Sequence, residues 1–516
     1  MSRKLTLGIL IALILGHIVL AANYASVTPY RQAGRLLSGG GQDVQDIGAP
    51  DERQHVNYIR HLLDAGEFPV FRPGSKDLYE TYQSHQPPAF YLIGAAWSKI
   101  SDAGDLTKRD GGIKLRFLNC LIGGGVVGGV FFLAFWGFQK KELALTAAAF
   151  TAFLPMMTAL SGAVSNDPLL FLLCTWVMAF LALCLRQGWT WKRVVAIGLL
   201  TGLAMLTKTT ALGLVPILAL AIFLPGDTNL AARKSSDSSA IPSGSEIQDD
   251  ATSPGAPERS MGHSVGRPRG WLGGAPEPGR GKPSLAMVAL AAVLALVLAG
   301  PWWARNQKLY QDPFAITAFN QAFKGSPQTA NMITMLKEDN PGGSPEFTYW
   351  TDYFGWWTAR SFFGVFGYMD IFMNEHGTAF TGTSKSGPAP NTLYRLLLAV
   401  TALCFIGWVW ALTQPEWKPA QPVQILNAAF FLVVLALYVK FNMQYFQAQA
   451  RYLFPAIGPI ACGFAVGASQ LLSKRREFVL PAVAGIFLLL NIWAVMQLPD
   501  QFAKRVSDSS GASARS

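Results

Sequence analysis

The sequence predicts an all-α polytopic membrane protein, on three observations. Apolar residues make up 51% of the 516 and charged residues only 14%. Apolar runs near 20 residues recur along the chain, the length a helix needs to cross a bilayer. Lys and Arg gather at the ends of those runs, as orientation signals do. The net charge of +11 therefore reads as membrane topology rather than nucleic-acid binding.

The first run, residues 5–22, follows the basic Ser2-Arg3-Lys4. A signal peptide would look similar, but Ala21-Ala22-Asn23 lacks a clean cleavage pattern, so a retained span is expected. Further runs cover roughly 113–137, 142–161, 166–185, 193–224, 284–304, 391–412, 422–440, 450–471 and 477–497. The run at 193–224 is too long for one span and short for two. Two short spans turning near Thr207–Thr210 place Lys140-Lys141, Arg186, Lys192, Arg193 and Lys474-Arg475-Arg476 on the cytoplasmic side together, which the positive-inside rule favours. The expectation is about eleven spans in the plasma (inner) membrane, with the N-terminus inside and the C-terminus outside.

Two long external loops follow from this count, 23–112 and 305–390, each with room for amphipathic helices. Residues 226–282 are rich in Pro, Gly and Ser and poor in bulky apolar residues, a composition that cannot bury a core. They read as a disordered cytoplasmic linker between an N-terminal bundle (1–225) and a C-terminal bundle (283–516). No internal repeat stands out, which weighs against inverted-repeat transporters. All five cysteines lie in apolar runs without Cys-x-x-Cys spacing, so neither a disulfide framework nor a zinc site is indicated.

Polar residues at the heads of the spans are the candidates for chemistry. In "APDERQHVNYIRHLLDAGEFP" (49–69) the pair Asp51-Glu52 opens an amphipathic helix. Asp51 is placed to N-cap it, with Gln54 as capping-box partner and Gly66 as the stop. A carboxylate at a helix N-terminus also stays ionised and can serve as a general base. His55 lies one turn on. "YQSHQPPAFYLIGAAW" (82–97) brings His85 and two prolines to the head of an apolar segment, where His85 serves structure as readily as chemistry. Arg116 sits a turn into the second span, where an arginine ordinarily snorkels. Asn166 and Asp167 head the fourth span and could simply cap it. Lys208 is sharper, because an ammonium inside an apolar run is costly unless it faces a partner or a water-filled site. With Arg305 and Arg451 it puts three cations on the face that carries Asp51, which suits a phosphate. No Walker loop, GxGxxG, HExxH or GxSxG element accompanies them. A lipid-linked phosphate fits better than a soluble nucleotide.

Taken together, "DE", "HQPPAFYLIG", "LRFLNCLIG", "SNDPLLFLL", "GLAMLTKTTAL" and "QARYLFPA" resemble the lipid-linked-sugar glycosyltransferases of the GT-C superfamily, especially the protein O-mannosyltransferases and the bacterial lipid A aminoarabinose transferase. The resemblance runs over most of the chain. It implies a GT-C-like bundle in which Asp51, with its neighbour Glu52, is the catalytic acid. Lys208 and Arg451 hold the donor phosphate, Arg116 lies near the catalytic loop, and Arg305 joins them on charge. His55, His85, Asn166 and Asp167 are substrate contacts. The chain departs from the pattern in "HQPP", where "HPP" or "KPP" is commoner, and in having no large soluble domain after the last span. A bacterial member fits better than a true mannosyltransferase. The implied activity is inverting transfer of a sugar from a polyprenyl-phosphate donor to a lipid, glycan or protein acceptor, with no cofactor required and divalent-metal dependence left open. The rival readings are a transporter or flippase for a lipid-linked or anionic substrate, and a membrane scaffold. The aromatic-rich stretch 347–368 reads as an interfacial anchor belt or as a platform for a sugar ring.

Overall fold

The computed structural model describes residues 1–37, 41–226, 281–373 and 392–513. It is an all-α membrane protein. In chain order the main helices are α1 (Arg3–Val27), α2 (Glu52–Ala65), α3 (Ala89–Ile100), α4 (Arg109–Phe138), α5 (Lys141–Phe153), α6 (Pro155–Ser161), α7 (Asp167–Gln187), α8 (Trp191–Met205) and α9 (Leu214–Phe223). After the linker come α10 (Leu285–Tyr310), α11 (Ile316–Ala322), α12 (Thr329–Asp339), α13 (Trp356–Phe363), α14 (Thr392–Ala411), α15 (Gln421–Gln444), α16 (Ile457–Leu471) and α17 (Val479–Ser513).

Among the described residues eight helices are long and apolar enough to cross a membrane, nine if the bent pair α5–α6 counts as one span. The expected eleven included the short helices α8 and α9. At 15 and 10 residues each falls below the ~20 that a full crossing takes. They nonetheless form an out-and-back pair broken at Leu206–Lys208. A Cβ at Gly226, beyond the end of α9, would lie 3.0 Å from the Gly281 carbonyl oxygen and 3.7 Å from that of Leu185, so the chain has returned to the end of the bundle where α7 finishes. Lys140 and Arg476 also meet there, both on Glu416. The opposite end carries Asp51, Asp167, Lys208 and Arg451.

Packing follows from small residues on α4, whose glycines let neighbouring helices approach. A Cβ on Gly123 would stand 2.4 Å from Ser161 Oγ and 2.5 Å from His17 Nε2, and one on Gly124 would stand 2.9 Å from Ile18. The 63° bend between α5 and α6 falls at Pro155, which cannot donate to the helix ladder. The carbonyls freed there are taken up from other helices. His17 Nδ1 lies 2.9 Å from Ala152 O, and Asn491 Nδ2 donates to Phe153 O at 3.0 Å.

Two short antiparallel hairpins close the site end. β1 (Gly34–Leu36) pairs with β2 (Gln42–Val44) in the register Gly34↔Val44, and β3 (Val365–Phe366) pairs with β4 (Ile371–Phe372). Asp370 joins them to α17, accepting from Leu37 N at 3.0 Å and from Arg505 Nε at 2.6 Å.

The aromatic stretch 347–368 departs from expectation. Tyr349, Tyr353, Phe354, Trp357 and Phe363 are buried in the core. Phe354 packs 5.1 Å from Tyr438 of α15, and Thr358 Oγ1 meets the Tyr438 hydroxyl at 2.6 Å. These five rings are interior packing over α15, whereas Phe347 is 71% exposed and Trp350 and Trp356 are partly so.

The linker predicted at 226–282 lies almost wholly outside the described residues. Because its two ends come together, replacing 227–280 with a short Gly/Ser loop is expected to leave expression and the thermal midpoint of the purified protein unchanged. A collapse of either would show that the segment packs on the bundle.

Candidate active site at one end of the bundle

Asp51 does not cap α2. Its backbone sits in the left-handed region at φ +63°, ψ −2° and its side chain makes no capping hydrogen bond, whereas an N-cap needs extended φ/ψ. Gln54 is no capping partner either, since its Nε2 donates to Tyr79 O at 2.7 Å. The left-handed turn is one that Asp tolerates better than most residues. The carboxylate instead accepts from the Tyr82 hydroxyl at 2.5 Å and from Arg451 Nη2 at 2.6 Å.

From Asp51 the charges alternate. Arg451 Nη1 lies 3.9 Å from Asp167 Oδ2, and Lys208 Nζ lies 2.5 Å from Asp167 Oδ1. The Tyr452 ring sits beneath both cations, 5.5 Å from Lys208 and 5.2 Å from Arg451. Arg451 and Asp167 are 5% and 4% exposed, Asp51 and Lys208 22% and 16%, so the row is buried at its middle and partly open at both ends. Arg451 Nε is buried and has no hydrogen-bond partner among the described residues. A buried guanidinium edge without an acceptor is costly.

Each charge is held by local structure. Lys208 occupies the extended turn between α8 and the 3₁₀ segment Thr209–Gly213. Asp167 begins α7 ahead of Pro168, a residue suited to a first turn. Asn166 donates to Thr207 O at 3.2 Å and lies 3.4 Å from Gln86 Oε1. Ala89 N donates to Leu206 O at 2.9 Å. The head of α3 is thereby clamped to the Lys208 turn. Arg451 sits in the 3₁₀ turn Ala450–Ala456, whose first amide donates to Ser361 Oγ at 2.8 Å.

Three expected site residues, Glu52, Arg116 and Arg305, are engaged elsewhere. Glu52 is buried, and it accepts from Arg116 Nε at 2.8 Å, Arg116 Nη2 at 2.6 Å and Val164 N at 2.8 Å. The remaining Arg116 donors go to the carbonyls of Ala25, Thr28 and Pro29. All five N–H groups of Arg116 are then spent and its exposure is 0%. It neither snorkels nor has a donor left for a phosphate. Arg305 is also apart from the row. Its Nη2 donates to Phe68 O and Pro69 O at 3.3 and 2.9 Å.

His55 lies beside the charges, one turn beyond Asp51, with Nδ1 2.9 Å from the Tyr91 hydroxyl. Burial pushes its imidazolium down to about 4, against the pull of Asp51 and Asp167. His85 is pushed down to about 4 by the same cause. Its Nδ1 is held 2.6 Å from Tyr82 O, and its ring packs 4.8 Å from Phe319. It stiffens the turn that presents Tyr82. For Asp51, burial acts to raise the pKa, but Arg451 overrides it, aided by Tyr82 and His55, and holds the carboxyl at about 2. Among the described residues no group of three or more His, Cys, Asp or Glu could hold a metal ion.

Sequence reasoning passed over Tyr82, Tyr452, Tyr91 and Gln86. Tyr452 adjoins Arg451, and Tyr82 opens the "YQSHQPP" stretch. Nothing in the spacing of the three tyrosines distinguishes them from the other aromatic residues, and Gln86 stood out only as the extra residue in "HQPP".

Residues 85–236 match the family model described as dolichyl-phosphate-mannose-protein mannosyltransferase. This match bears out the likeness to GT-C glycosyltransferases. It takes in Asn166, Asp167 and Lys208 but neither Asp51 nor Arg451, and it spans well under half of the chain. No curated protein matches the chain. Among solved structures, the Archaeoglobus fulgidus oligosaccharyltransferase tethered to an acceptor peptide is 13% identical with a TM-score of 0.48, covering 95% of this chain and 55% of its own. ArnT from Cupriavidus metallidurans bound to undecaprenyl phosphate is 13% identical with a TM-score of 0.44, covering 96% and 73%. The chain spans about half the length of the archaeal enzyme.

Glu52→Ala strands the Arg116 guanidinium in the interior and is expected to cost about 3–5 kcal/mol, read as a lowered unfolding midpoint in detergent. An unchanged midpoint would show that the pair does not brace the fold. His55 and His85 fold with pKa values below the ordinary 6.5, so the unfolded chain binds more protons between about pH 4 and 6.5. Their contribution is present above 6.5 and drains away as pH falls toward 4. A His55→Asn variant should show a shallower loss of stability over that window in pH-dependent melts.

Proposed function

We propose that the protein is an inverting glycosyltransferase that moves a sugar from a polyprenyl-phosphate donor to an envelope acceptor at the external membrane face. The observation that carries this reading is the row Asp51–Arg451–Asp167–Lys208, in which a buried arginine edge lacks an acceptor. A phosphate oxygen supplies that acceptor, while Lys208, with one of its three donors used, supplies a second contact.

An apolar groove of ≈ 380 Å³ supports the lipid half of the donor. It runs between α8, α9 and α10, lined by residues such as Ile197, Met205, Leu212, Leu218, Met287 and Ala291. Met205 and Leu212 flank the Lys208 turn. A prenyl tail in the groove brings its phosphate to Lys208 and Arg451. The apolar lining favours holding a lipid tail over passing an anionic solute, and so favours transfer over transport.

In this geometry the sugar lies toward Asp51. The acceptor oxygen or nitrogen attacks the anomeric carbon, the bond from that carbon to the phosphate oxygen breaks, and its electron pair leaves with the polyprenyl phosphate. A single displacement inverts the anomeric centre. Lys208 and Arg451 stabilise the charge gained by the phosphate. Asp51 receives or orients the acceptor proton. Tied to Arg451 it is a weak base, so a donor phosphate that draws Arg451 away also raises the basicity of Asp51. Donor binding thereby arms the carboxylate. His55 and Asn166 line the same end as substrate contacts.

Asp51→Asn keeps size and removes the charge. Transfer should fall on the order of 10²-fold or more, with polyprenyl phosphate still retained in native mass spectrometry. Lys208→Ala should instead release the polyprenyl phosphate. Mass spectrometry of envelope lipids and glycans, with and without the protein, identifies the sugar and the acceptor. Full transfer by Asp51→Asn would end the catalytic assignment.

A further inference from the structure

A second groove, of ≈ 570 Å³, shares no lining residue with the charge row. It is lined by Glu67, Phe68 and Val70 from the segment after α2, and by Arg305, Lys308 and Leu309 from the last turns of α10, among others. Arg305 stacks 4.6 Å over the buried Trp302, whose ring meets Phe68 edge-on at 5.5 Å. With Nη2 bound to two carbonyls, its Nη1 has a 3.5 Å contact to Asn306 Oδ1, and its Nε makes no hydrogen bond among the described residues. Lys308, one turn on along the same face, is exposed and makes no hydrogen bond or ion pair among the described residues. Glu67 is the only acid among the described residues that line it, against Arg305 and Lys308, so this lining is net positive. Its floor is apolar, with Phe68, Val70 and Leu309 among its lining as exposed large hydrophobics; earlier on α10, outside the groove, Val293 and Val297 expose more than half their surface.

We propose that this groove binds the phosphate of an anionic phospholipid in the leaflet at the site end. The headgroup sits between Arg305 and Lys308, with its acyl chains along the exposed face of α10. A zwitterionic headgroup carries the same phosphate but adds a cation beside Arg305 and Lys308, which disfavours it against an anionic one at the level where span-end cations meet lipid phosphates. An exposed apolar floor continuous with the lipid face calls for a lipid rather than a free anion. The site is separate from the donor phosphate at Lys208 and Arg451, and it does not depend on the transfer reaction.

The test uses the full-length protein in nanodiscs of phosphatidylcholine with a minor share of phosphatidylglycerol, counting retained lipids by native mass spectrometry. Phosphatidylglycerol should be retained in preference to phosphatidylcholine, and excess inorganic phosphate should not displace it. Lys308→Gln should lower its retention about five-fold, as the loss of one cation near a bilayer implies, and Arg305→Gln should do the same. Lys308 is exposed and makes no hydrogen bond or ion pair among the described residues, so its variant is expected to keep the fold. Equal retention of the two lipids, unchanged phosphatidylglycerol in Lys308→Gln, or displacement by inorganic phosphate alone would overturn the proposal. Polyprenyl-phosphate retention, measured in the same samples, reports on the Lys208 site independently.

Discussion

The buried pair Glu52–Arg116 is the constraint on which the site end depends. Its five guanidinium donors and two carboxylate oxygens tie the end of α1, the first turns of α4, the start of α2 and the amide of Val164 to one point. Two charges taken out of water must be satisfied completely or they destabilise the fold, and here every Arg116 donor is used. That closure fixes where α2 begins. It therefore fixes Asp51, the residue immediately before it, in a left-handed turn facing Tyr82 and Arg451. Two adjacent acids thus divide the work: one is locked in the frame, and the other stands at its edge.

The row that starts at Asp51 draws on four distant parts of the chain. Alternating signs let two carboxylates and two cations lie within a few ångströms of one another without net charge, which keeps the cost of partial burial tolerable. The arrangement is also exchangeable. An anion that takes up the free edge of Arg451 or the spare donors of Lys208 also competes for the pull of these cations on the carboxylates, so an anion at the row and the state of Asp51 would be coupled by ordinary electrostatics.

The two grooves share one physical logic at different depths. Both place an apolar trough next to a cation at the site end of the bundle. One lies between α8, α9 and α10 with Lys208 at its head, and the other lies over the end of α10 with Arg305 and Lys308 at its rim. The interruption of α8 and α9 at residues 206–208 creates the first, because two short helices leave a gap that one continuous span would fill.

The helices and their order were legible in the sequence, because a bilayer-length apolar run has one stable backbone solution, a helix with all its hydrogen bonds internal. The break near Thr207–Thr210 was legible too, from a lysine that no apolar interior accepts unpaired. Asp51, Asp167, Lys208 and Arg451 were visible as candidates too, since few polar residues head the spans, but so were Glu52, Arg116 and Arg305, and the sequence grouped them differently. Their partnerships were not legible. Whether Asp51 caps its helix, whether Glu52 works or braces, and whether Arg116 and Arg305 join the row depend on contacts between residues tens to hundreds of positions apart. The aromatic stretch at 347–368 has the composition of an anchor and the burial of a core, for the same reason. Local pattern determined which segments are helical and where charge must be accommodated. Only tertiary packing decided which charge meets which, because side-chain pairing energy is set by distance and desolvation, and neither is written along the chain.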